Sequence, residues 1–526
     1  MNRINRAILV IIDDVRSDQF FDMIDQGLLP NFKGLMENGI YSKNCVTDFP
    51  SITYPTQVST ITGTYTGDYR HELCHGIPNF NWMGRDFTPP LLRNYGSNKL
   101  EIYKLNQDLG ENCRTIFEMV EEGNKSSITQ FINRGVDYFF PKNRRQLIIF
   151  YLIINYWRNI KRLIEYANSI VVHKLLDNFK NPDKYFEMKE PPILSLLWFM
   201  SSDVLMHQFG SQSTLYRLNL MHIDKVIGEL VDGLKSLDYL DETAIAITSD
   251  HGNYTAKKLG NLEGFFGSKG LRNYFPSRNN QGNVNLAEFG GLGFFNFNGT
   301  IGNRAKNQWG YPSIQELASY GPNEINILDE LFKINGTKLI YYRNNQNSHN
   351  KGEIFLKKKL DNSDTYLTGR IEYQGTGKSM KTRYICIGDD IDVFGYHTDE
   401  VASKLIDGKY HSIDEWLEGT YHLDYPSYPD LLVRNFKNPR SADVIVSTKG
   451  EVVYNIVHGK AKTKRFYNHD IGLRKSSIIP LIISGTNEIP RRSVEFCKIT
   501  DIVPTLLYMM HQKVDKSVIG NNLITI

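Results

Sequence analysis

The sequence predicts an α/β fold, with a mostly parallel central sheet flanked by helices and interrupted by inserted cap regions. Short apolar runs rich in Ile, Val and Leu recur along the chain, helical stretches lie between them, and two longer stretches break this rhythm. Strands covered on both faces read as such apolar runs, and their alternation with helices is typical of a parallel sheet.

Five runs have the character of core strands, and three stretches that of helices. The strand-like runs are AILVIID (7–13), LSLLWFMSSD (194–203), AIAITSD (244–250), DVIVST (443–448) and IIPLIISG (478–485). The predicted helices are 29–38, 213–237 and 501–512, the last with Pro504 in its first turn. Two hairpin-like segments, 340–356 and 365–375, lie outside this alternation around turn residues.

We therefore expect a core built from separated parts of the chain. The core would comprise residues 1–94, 191–254 and 441–526, with a helix-rich insertion or cap at 95–190 and an insertion with hairpin strands at 255–440. The apolar segment 147–157 is too short to span a membrane and favours a buried or cap helix over one that lies at a membrane surface.

Composition and charge argue against several classes of protein. The 526 residues carry 61 Lys+Arg and 58 Asp+Glu, and this net charge of +3 gives no electrostatic reason to expect specific nucleic-acid binding. Five scattered cysteines without a CxxC pair argue against a disulfide scaffold or a thiolate zinc site. The N-terminal apolar run is too short for a signal peptide, and two aspartates end it. We therefore expect a cytoplasmic protein.

Carboxylate and imidazole side chains lie at the ends of the strand-like runs, except that His469 comes just ahead of IIPLIISG. They are Asp13, Asp203, Asp250, His207, His251 and His469. Because the carboxyl ends of parallel strands meet at one edge of a sheet, we expect these groups to converge there. Such oxygen and nitrogen ligands suit zinc and, less selectively, manganese or iron. His458 competes with His469 for the same role, and a lone strand-end Asp more commonly caps a turn.

The segment FPSITYPTQVSTITGTY (49–65) places small hydroxyl residues at the start of a predicted helix. The free N–H groups and positive dipole of a helix N-terminus favour a phosphate. Thr53 precedes Pro55, which suits the first helical turn, and its hydroxyl becomes a useful nucleophile only beside a base or a metal. Without such a neighbour, Thr53 is an ordinary helix-start hydroxyl.

Six motifs occur together in an order that resembles a known family. They are VIIDDVRSD, FPSITYPTQVSTITG, HGIPNFNW, the pair Asp203–His207, SDHG at Asp250, and the His469 segment followed by PLIISG. Over about half the chain they resemble the type I phosphodiesterase/nucleotide pyrophosphatase family of the alkaline phosphatase superfamily, which implies an alkaline-phosphatase-like core. Asp14 and Asp470 stand where that family usually has glycine.

The resemblance implies two divalent metal ions, usually zinc, with Mn²⁺ as an alternative. Carried over by position, Asp203, His207 and His469 would hold one ion, and Asp13, Asp250 and His251 the other. Thr53 would also bind the second ion and, as the nucleophile, form a phospho-threonine. Thr56 is the nearest candidate to bind a phosphoryl oxygen, and Asn79 and Asn81 are candidates for the leaving-group pocket.

The expected function is metal-dependent hydrolysis of a phosphodiester or pyrophosphate bond in a small phosphorylated substrate. A phosphomonoesterase or phosphonate hydrolase with the same site is the nearest alternative. An alternative of another class is a catalytically silent binding protein that keeps the fold. A sulfatase is disfavoured, because its nucleophile derives from Cys or Ser and Thr53 is neither. The sequence indicates no oligomeric state.

Overall fold

The computed structural model describes residues 4–96, 101–142, 145, 160–260, 262, 266–275, 282–302, 308–360, 363, 365–387, 392–454 and 466–525. Its central layer is a nine-stranded sheet. From one edge to the other the strands are Arg492–Ser493, Ile40–Val46, Ile478–Ser484, Thr243–Thr248, Arg6–Ile12, Leu194–Phe199, Lys125–Ile128 and Tyr138–Phe140, with Cys497–Lys498 also paired to Ile40–Val46. Only Ile478–Ser484 runs antiparallel to its neighbours, so the predicted α/β class with a mostly parallel sheet is confirmed.

Both faces of this sheet are buried. In the strand Arg6–Ile12, Ile8 and Val10 belong to one hydrophobic cluster and Leu9 and Ile11 to another, as the alternation of side chains along a strand requires. The helices on the first side are Ser17–Asp25, Pro30–Glu37, Ile160–Lys180, Ser201–Phe209 and Thr214–Ser236. Those on the second side include Thr53–Thr62 and Ile502–Met509.

The three helices predicted from the sequence are confirmed, as Pro30–Glu37, Thr214–Ser236 and Ile502–Met509. The longest begins where the Ser213 side chain accepts a hydrogen bond from the N–H of Tyr216. Such a cap satisfies one of the N–H groups that the first turn leaves free.

A second sheet of eight antiparallel strands packs outside the central layer. In order these are Val284–Phe289, Leu292–Phe297, Val444–Ser447, Leu339–Arg343, Lys351–Lys359, Tyr366–Gln374, Lys381–Ile387 and His411–Ser412. The predicted hairpin strands are confirmed. The assignment of DVIVST to the core sheet was wrong, because Val444–Ser447 lies inside this second sheet. A short apolar run has the same sequence pattern in every strand that is buried on both faces. The pattern therefore does not indicate which sheet the strand joins, and tertiary contacts decide this.

The stretch 95–190, expected to be a helix-rich insertion or cap, contributes directly to the central layer. Lys125–Ile128 and Tyr138–Phe140 extend the sheet, and Ile160–Lys180 packs beside Thr214–Ser236. The first of these strands reads KSSI and carries no apolar pattern. Within the fold, the hydroxyl of Ser126 forms a 2.9 Å hydrogen bond with that of Ser195 on the neighbouring strand.

Short elements complete the described chain. The remaining helices are Leu105–Asp108, Ile116–Met119, Ile314–Ala318, Ile327–Glu330, Ile413–Thr420, Tyr428–Lys437 and Arg474–Ser477. The two-stranded sheets pair Asn81–Gly84 with Leu91–Asn94, Lys258–Gly260 with Val452–Tyr454, and Tyr254–Thr255 with Tyr467–Asn468. Among the described residues, no helix is both long and apolar enough to cross a membrane. The segment 147–157 and His458 lie outside the described residues.

Candidate active site

Carboxylate side chains lie just beyond the ends of three neighbouring parallel strands, at one edge of the central sheet. Asp13 follows Arg6–Ile12 directly, and Asp250 lies two positions beyond Thr243–Thr248. Asp203 lies in the first turn of Ser201–Phe209, the helix that follows the third strand. The predicted convergence is therefore present, since these strands are adjacent and parallel.

Three histidines from distant parts of the chain meet these carboxylates. His207 lies one turn after Asp203 on the same helix, while the rings of His251 and His469 stack with centroids 3.8 Å apart. The short sheet of Tyr254–Thr255 with Tyr467–Asn468 joins the segments that carry the two stacked rings.

All three imidazoles are held in the same way. The Nδ1 atoms of His207, His251 and His469 lie 3.0, 3.2 and 3.0 Å from the backbone carbonyl oxygens of Tyr467, Gly252 and Ser51, respectively. A carbonyl can only accept, so each Nδ1 carries the proton and each Nε2 presents a lone pair. This arrangement is the usual support for a metal-binding histidine.

The carboxylate oxygens and Nε2 atoms form two overlapping groups. The ligand atoms of Asp203, His207 and His469 all lie within 4.8 Å of one another, and so do those of Asp13, Asp203 and His251. One oxygen each of Asp13 and Asp203 is buried and receives no hydrogen bond. Asp203 Oδ1 lies 3.2 Å from His207 Nε2, and Asp13 Oδ1 lies 3.5 Å from His251 Nε2.

The pKa shifts at this edge reflect burial of like charges. Burial, and then the charge of Asp250, raises the pKa of Asp13 well above its usual value. Burial lowers the pKa of His251 to about 4, so its ring is neutral at pH 7. A nearby cation stabilises buried carboxylate oxygens that receive no hydrogen bond, and imidazoles protonated on Nδ1 offer Nε2 as the complementary ligand. The residues present therefore fit divalent cations such as zinc.

Thr53 is the first residue of the helix Thr53–Thr62 and is adjacent to these groups. Its Oγ1 lies 3.1 Å from His251 Nε2, and because that nitrogen carries no proton, the hydroxyl donates the hydrogen bond. The first N–H groups of a helix have no partner within it, so this end of the helix favours an anion. The Thr53 hydroxyl thus lies beside His251 Nε2 and at the N-terminus of a helix, where a phosphate would bind favourably.

Asp250 differs from the other two carboxylates. Its Oδ1 accepts backbone N–H hydrogen bonds from Asp14 and His251, at 3.1 and 2.9 Å, and its Oδ2 accepts one from the Gln57 side chain at 2.8 Å. Burial nevertheless raises its pKa to about 6. Its Oδ2 is also 3.7 Å from His251 Nε2, at the border of the second group. How the ligands divide between two ions stays a prediction.

Several supporting residues have no signature in the sequence. Gln57 connects Asp250 to Gln130, whose side-chain amide donates to Gln57 Oε1 at 2.7 Å. The indole N–H of Trp198 donates to Asp13 Oδ2 at 3.0 Å. The buried carboxylate of Asp470, which follows His469, accepts hydrogen bonds from the hydroxyl of Tyr254 and two backbone N–H groups. Single Gln, Trp or Asp residues occur in so many settings that only the fold reveals these contacts.

Replacing Gln57 with alanine should lower turnover about 10–100-fold, because Asp250 Oδ2 loses its donor and its orientation. Steady-state rates checked beside the thermal unfolding midpoint would measure this effect. The exposed Gln26→Ala serves as the matched control and should retain the wild-type rate. A wild-type rate in the Gln57 variant would show that Asp250 needs no such support.

The predicted substrate-binding residues are placed less favourably. Thr56 is buried, and its hydroxyl donates to the carbonyls of Ile52 and Thr53, so it faces the helix and is not offered to a phosphoryl group. Asn79 is buried too, and its side chain accepts from the N–H of Phe80. Asn81 begins a strand of the hairpin and has a buried side-chain oxygen without a donor. A threonine within a helix can bond back to a carbonyl of the preceding turn, and a role of Thr56 in phosphoryl binding stays a prediction.

Known proteins resemble about half of this chain. An uncharacterized pyrophosphatase/phosphodiesterase of Schizosaccharomyces pombe is 24% identical over 246 residues, which is 47% of this chain and 44% of that protein. A Mus musculus bis(5'-adenosyl)-triphosphatase is 24% identical over 249 residues, 47% of each protein. The chain thus spans about half the length of the curated relatives it matches.

Comparison with solved structures extends over the whole chain. The structure of an inactive threonine-to-alanine variant of murine ectonucleotide pyrophosphatase/phosphodiesterase 5, in complex with AMP, matches with a TM-score of 0.56 at 13% identity. The match covers 97% of this chain and 96% of that one. Identity this low shows a shared fold alone, and it confirms the expected alkaline-phosphatase-like core.

The family model for "type I phosphodiesterase / nucleotide pyrophosphatase" matches residues 7–324, more than half of the 526-residue chain. This match contains Asp13, Thr53 and the paired motifs at Asp203 and Asp250, and the resemblance seen in the sequence is confirmed. The chain belongs to the type I phosphodiesterase/nucleotide pyrophosphatase family.

Proposed function

We propose that this chain is a metal-dependent hydrolase of phosphodiester or pyrophosphate bonds, with Thr53 as its nucleophile. The observation that carries the proposal is that the ligand atoms of Asp13, Asp203 and three histidines form two groups sharing Asp203, with the Thr53 hydroxyl 3.1 Å from the Nε2 of one of these histidines. Family membership and the names of the curated relatives support the same reaction class.

One divalent cation would be held by Asp203, His207 and His469. A second would be held by Asp13 and His251, with Asp250 at the border of this second group of ligand atoms. When bound, such cations supply positive charge that stabilises a phosphoryl group and activates hydroxyl nucleophiles. The carbonyl hydrogen bonds to the three Nδ1 atoms keep the rings oriented for this task. Zinc suits the donor set best, and Mn²⁺ is the alternative.

The chain's own residues would act in two half-reactions. Thr53 Oγ1 attacks phosphorus, its proton passes to water, and the leaving group departs as the new Oγ1–P bond forms. Water then cleaves the Oγ1–P bond and restores the hydroxyl, so that one water is consumed per bond hydrolysed. The start of the helix Thr53–Thr62 would orient the phosphoryl oxygens through its N–H groups and dipole.

A nucleotide-type substrate is the form of the proposal that the comparisons favour, since the murine structure holds AMP. Beside the nucleophile, the ring of Tyr54 stacks on that of Phe80, with centroids 5.3 Å apart and an interplanar angle of 18°. An aromatic pair in this position suits a nucleobase, whose flat face stacks on such rings.

A rate comparison tests the proposed reaction class. The purified chain with Zn²⁺ or Mn²⁺ should hydrolyse a nucleoside p-nitrophenyl phosphate and bis-p-nitrophenyl phosphate faster than p-nitrophenyl phosphate or a phosphonate. Prior removal of metal with a chelator should abolish the activity, and added Zn²⁺ should restore it. Preference for the monoester or the phosphonate would move the protein to the corresponding alternative. No turnover of any substrate, with metal bound, would favour the silent binding protein.

A further inference from the structure

Ser51 lies two residues before the proposed nucleophile, and its side chain has so far been given no role. The residue is completely buried. Its hydroxyl donates a hydrogen bond to the backbone carbonyl of His469 at 2.5 Å and accepts one from the backbone N–H of Gly472 at 2.9 Å. One hydroxyl therefore joins both ends of the segment 469–472, which begins with a proposed metal ligand.

The backbone of the same serine holds the imidazole ring of His469. The ring Nδ1 donates a hydrogen bond to the Ser51 carbonyl at 3.0 Å. This hydrogen bond sets the orientation of the ring, while the hydrogen bonds of the Ser51 hydroxyl set the position of the backbone from which the ring projects. Ser51 thus restrains His469 in two independent ways, and both restraints affect where Nε2 lies.

The segment 469–472 packs directly against the chain that leads to Ser51. Gly472 adopts φ of 65°, and a Cβ atom there would lie 2.5 Å from the ring of Phe49. The His469 carbonyl and the Gly472 N–H belong to buried residues. Removal of the Ser51 hydroxyl would leave both of these backbone groups without the partner they have here. Because an unpaired buried polar group is costly, we expect the segment to shift towards other partners.

Ser51 also connects the metal ligands with the nucleophile. Ile52 alone separates it from Thr53, whose Oγ1 lies 3.1 Å from His251 Nε2. The His251 ring stacks on the His469 ring, with centroids 3.8 Å apart. This short piece of chain therefore contacts His469 through Ser51 and His251 through Thr53, so that a shift at Ser51 would change the relative positions of the nucleophile and both rings.

We propose that Ser51 is a positioning residue, whose hydroxyl holds His469 in place as a ligand of the cation that it shares with Asp203 and His207. The inference rests on the metal centre of the proposed function and adds to it a residue that belongs to neither group of ligand atoms. The hydroxyl proton of Ser51 is used by the His469 carbonyl. Ser51 therefore acts on the cation through His469.

The test compares the full-length Ser51→Ala variant with wild type. Metal-free proteins would be titrated with Zn²⁺ against a competing chelator, and bound zinc would be counted per chain. We expect one of the two proposed ions to bind about 10–100-fold more weakly in Ser51→Ala, because removal of a group that supports a metal ligand typically has an effect of this size. The other ion, which His469 does not ligate, should bind nearly as it does in wild type.

Ser477→Ala is the matched control. Ser477 is also a buried serine, and its hydroxyl donates to the backbone carbonyl of Leu473 at 2.9 Å. A purely structural role of Ser51 predicts that both variants lower the thermal unfolding midpoint of the metal-free protein and that both bind zinc as wild type does. Unchanged zinc affinity in a folded Ser51→Ala variant would overturn the inference.

If Ser51→Ala does not fold, the comparison passes to Ser51→Thr and Ser51→Val, whose side chains share a shape and differ in the hydroxyl. The threonine variant should bind zinc more tightly, and equal affinities would overturn the inference. Wild type that binds no zinc would refute both the inference and the proposed function. Wild type that binds zinc and hydrolyses diesters, with Ser51→Ala binding equally well, would refute the inference alone.

Discussion

Replacing Thr53 with alanine should reduce turnover on the order of 10⁴–10⁶-fold, because the variant lacks the hydroxyl proposed to form the covalent intermediate. The expected decrease in the free energy of unfolding of this variant is small. Thr53 is partly exposed, and its side chain contributes one hydrogen bond, to His251 Nε2, worth about 1 kcal/mol. The metal ligands are untouched, so the variant should bind metal as wild type does.

Single-turnover and steady-state rates, with the unfolding midpoint and metal content measured alongside, would separate loss of the nucleophile from loss of the fold. Thr60→Ala is the matched control in the same helix, since the Thr60 hydroxyl donates to the backbone carbonyl of Thr56 and faces away from the metal ligands. Thr53→Ser should keep measurable turnover, because it retains a hydroxyl. A Thr53→Ala variant that works at nearly the normal rate would refute the nucleophile assignment.

The second large effect is expected from His469→Ala. The His469 ring stacks on that of His251, and its Nε2 lies 3.7 Å from Asp203 Oδ1. Without this ring, the group formed with Asp203 and His207 loses one of its three members. We therefore expect about one fewer metal ion per chain and a rate at least about 10²-fold lower.

His458→Ala gives the decisive comparison, since the sequence left both histidines open as the third ligand. Metal content by mass spectrometry and turnover at saturating Zn²⁺ should be normal in the His458 variant and reduced in the His469 variant. The reverse pattern would transfer the ligand role to His458. Circular dichroism would check that removing a buried ring has not unfolded the loop.

Much of the candidate site was predictable because its residues follow strong local signals. Asp13 and Asp250 come just after strands that are buried on both faces and read as apolar runs. Asp203 and His207 are one helical turn apart, so a helix presents both on one side. The start of the helix at Thr53 was expected from the small hydroxyl residues of this segment and from Pro55. The structure adds that the helix ends at Gly63, which adopts φ of 66°.

Other features depend on partners that no local pattern encodes. The strand Lys125–Ile128 is polar in sequence and joins the central sheet through neighbours that arrive later in the chain. Val444–Ser447 has the pattern of a core strand, yet it pairs in the second sheet. In both cases the strands that pair with the segment, which come from other parts of the chain, decide which sheet it joins.

The sequence by itself determined the kinds of chemistry available: a threonine at a helix start, carboxylates at strand ends, imidazoles, and an alternation of strands and helices that brings strand ends to one edge. Only the tertiary structure decided that His251 and His469 stack and that three backbone carbonyls fix the imidazole protons on Nδ1. The reason is that secondary structure follows from interactions between near neighbours in the chain, whereas these contacts join distant segments. Their geometry depends on how both sheets and the helices between them pack.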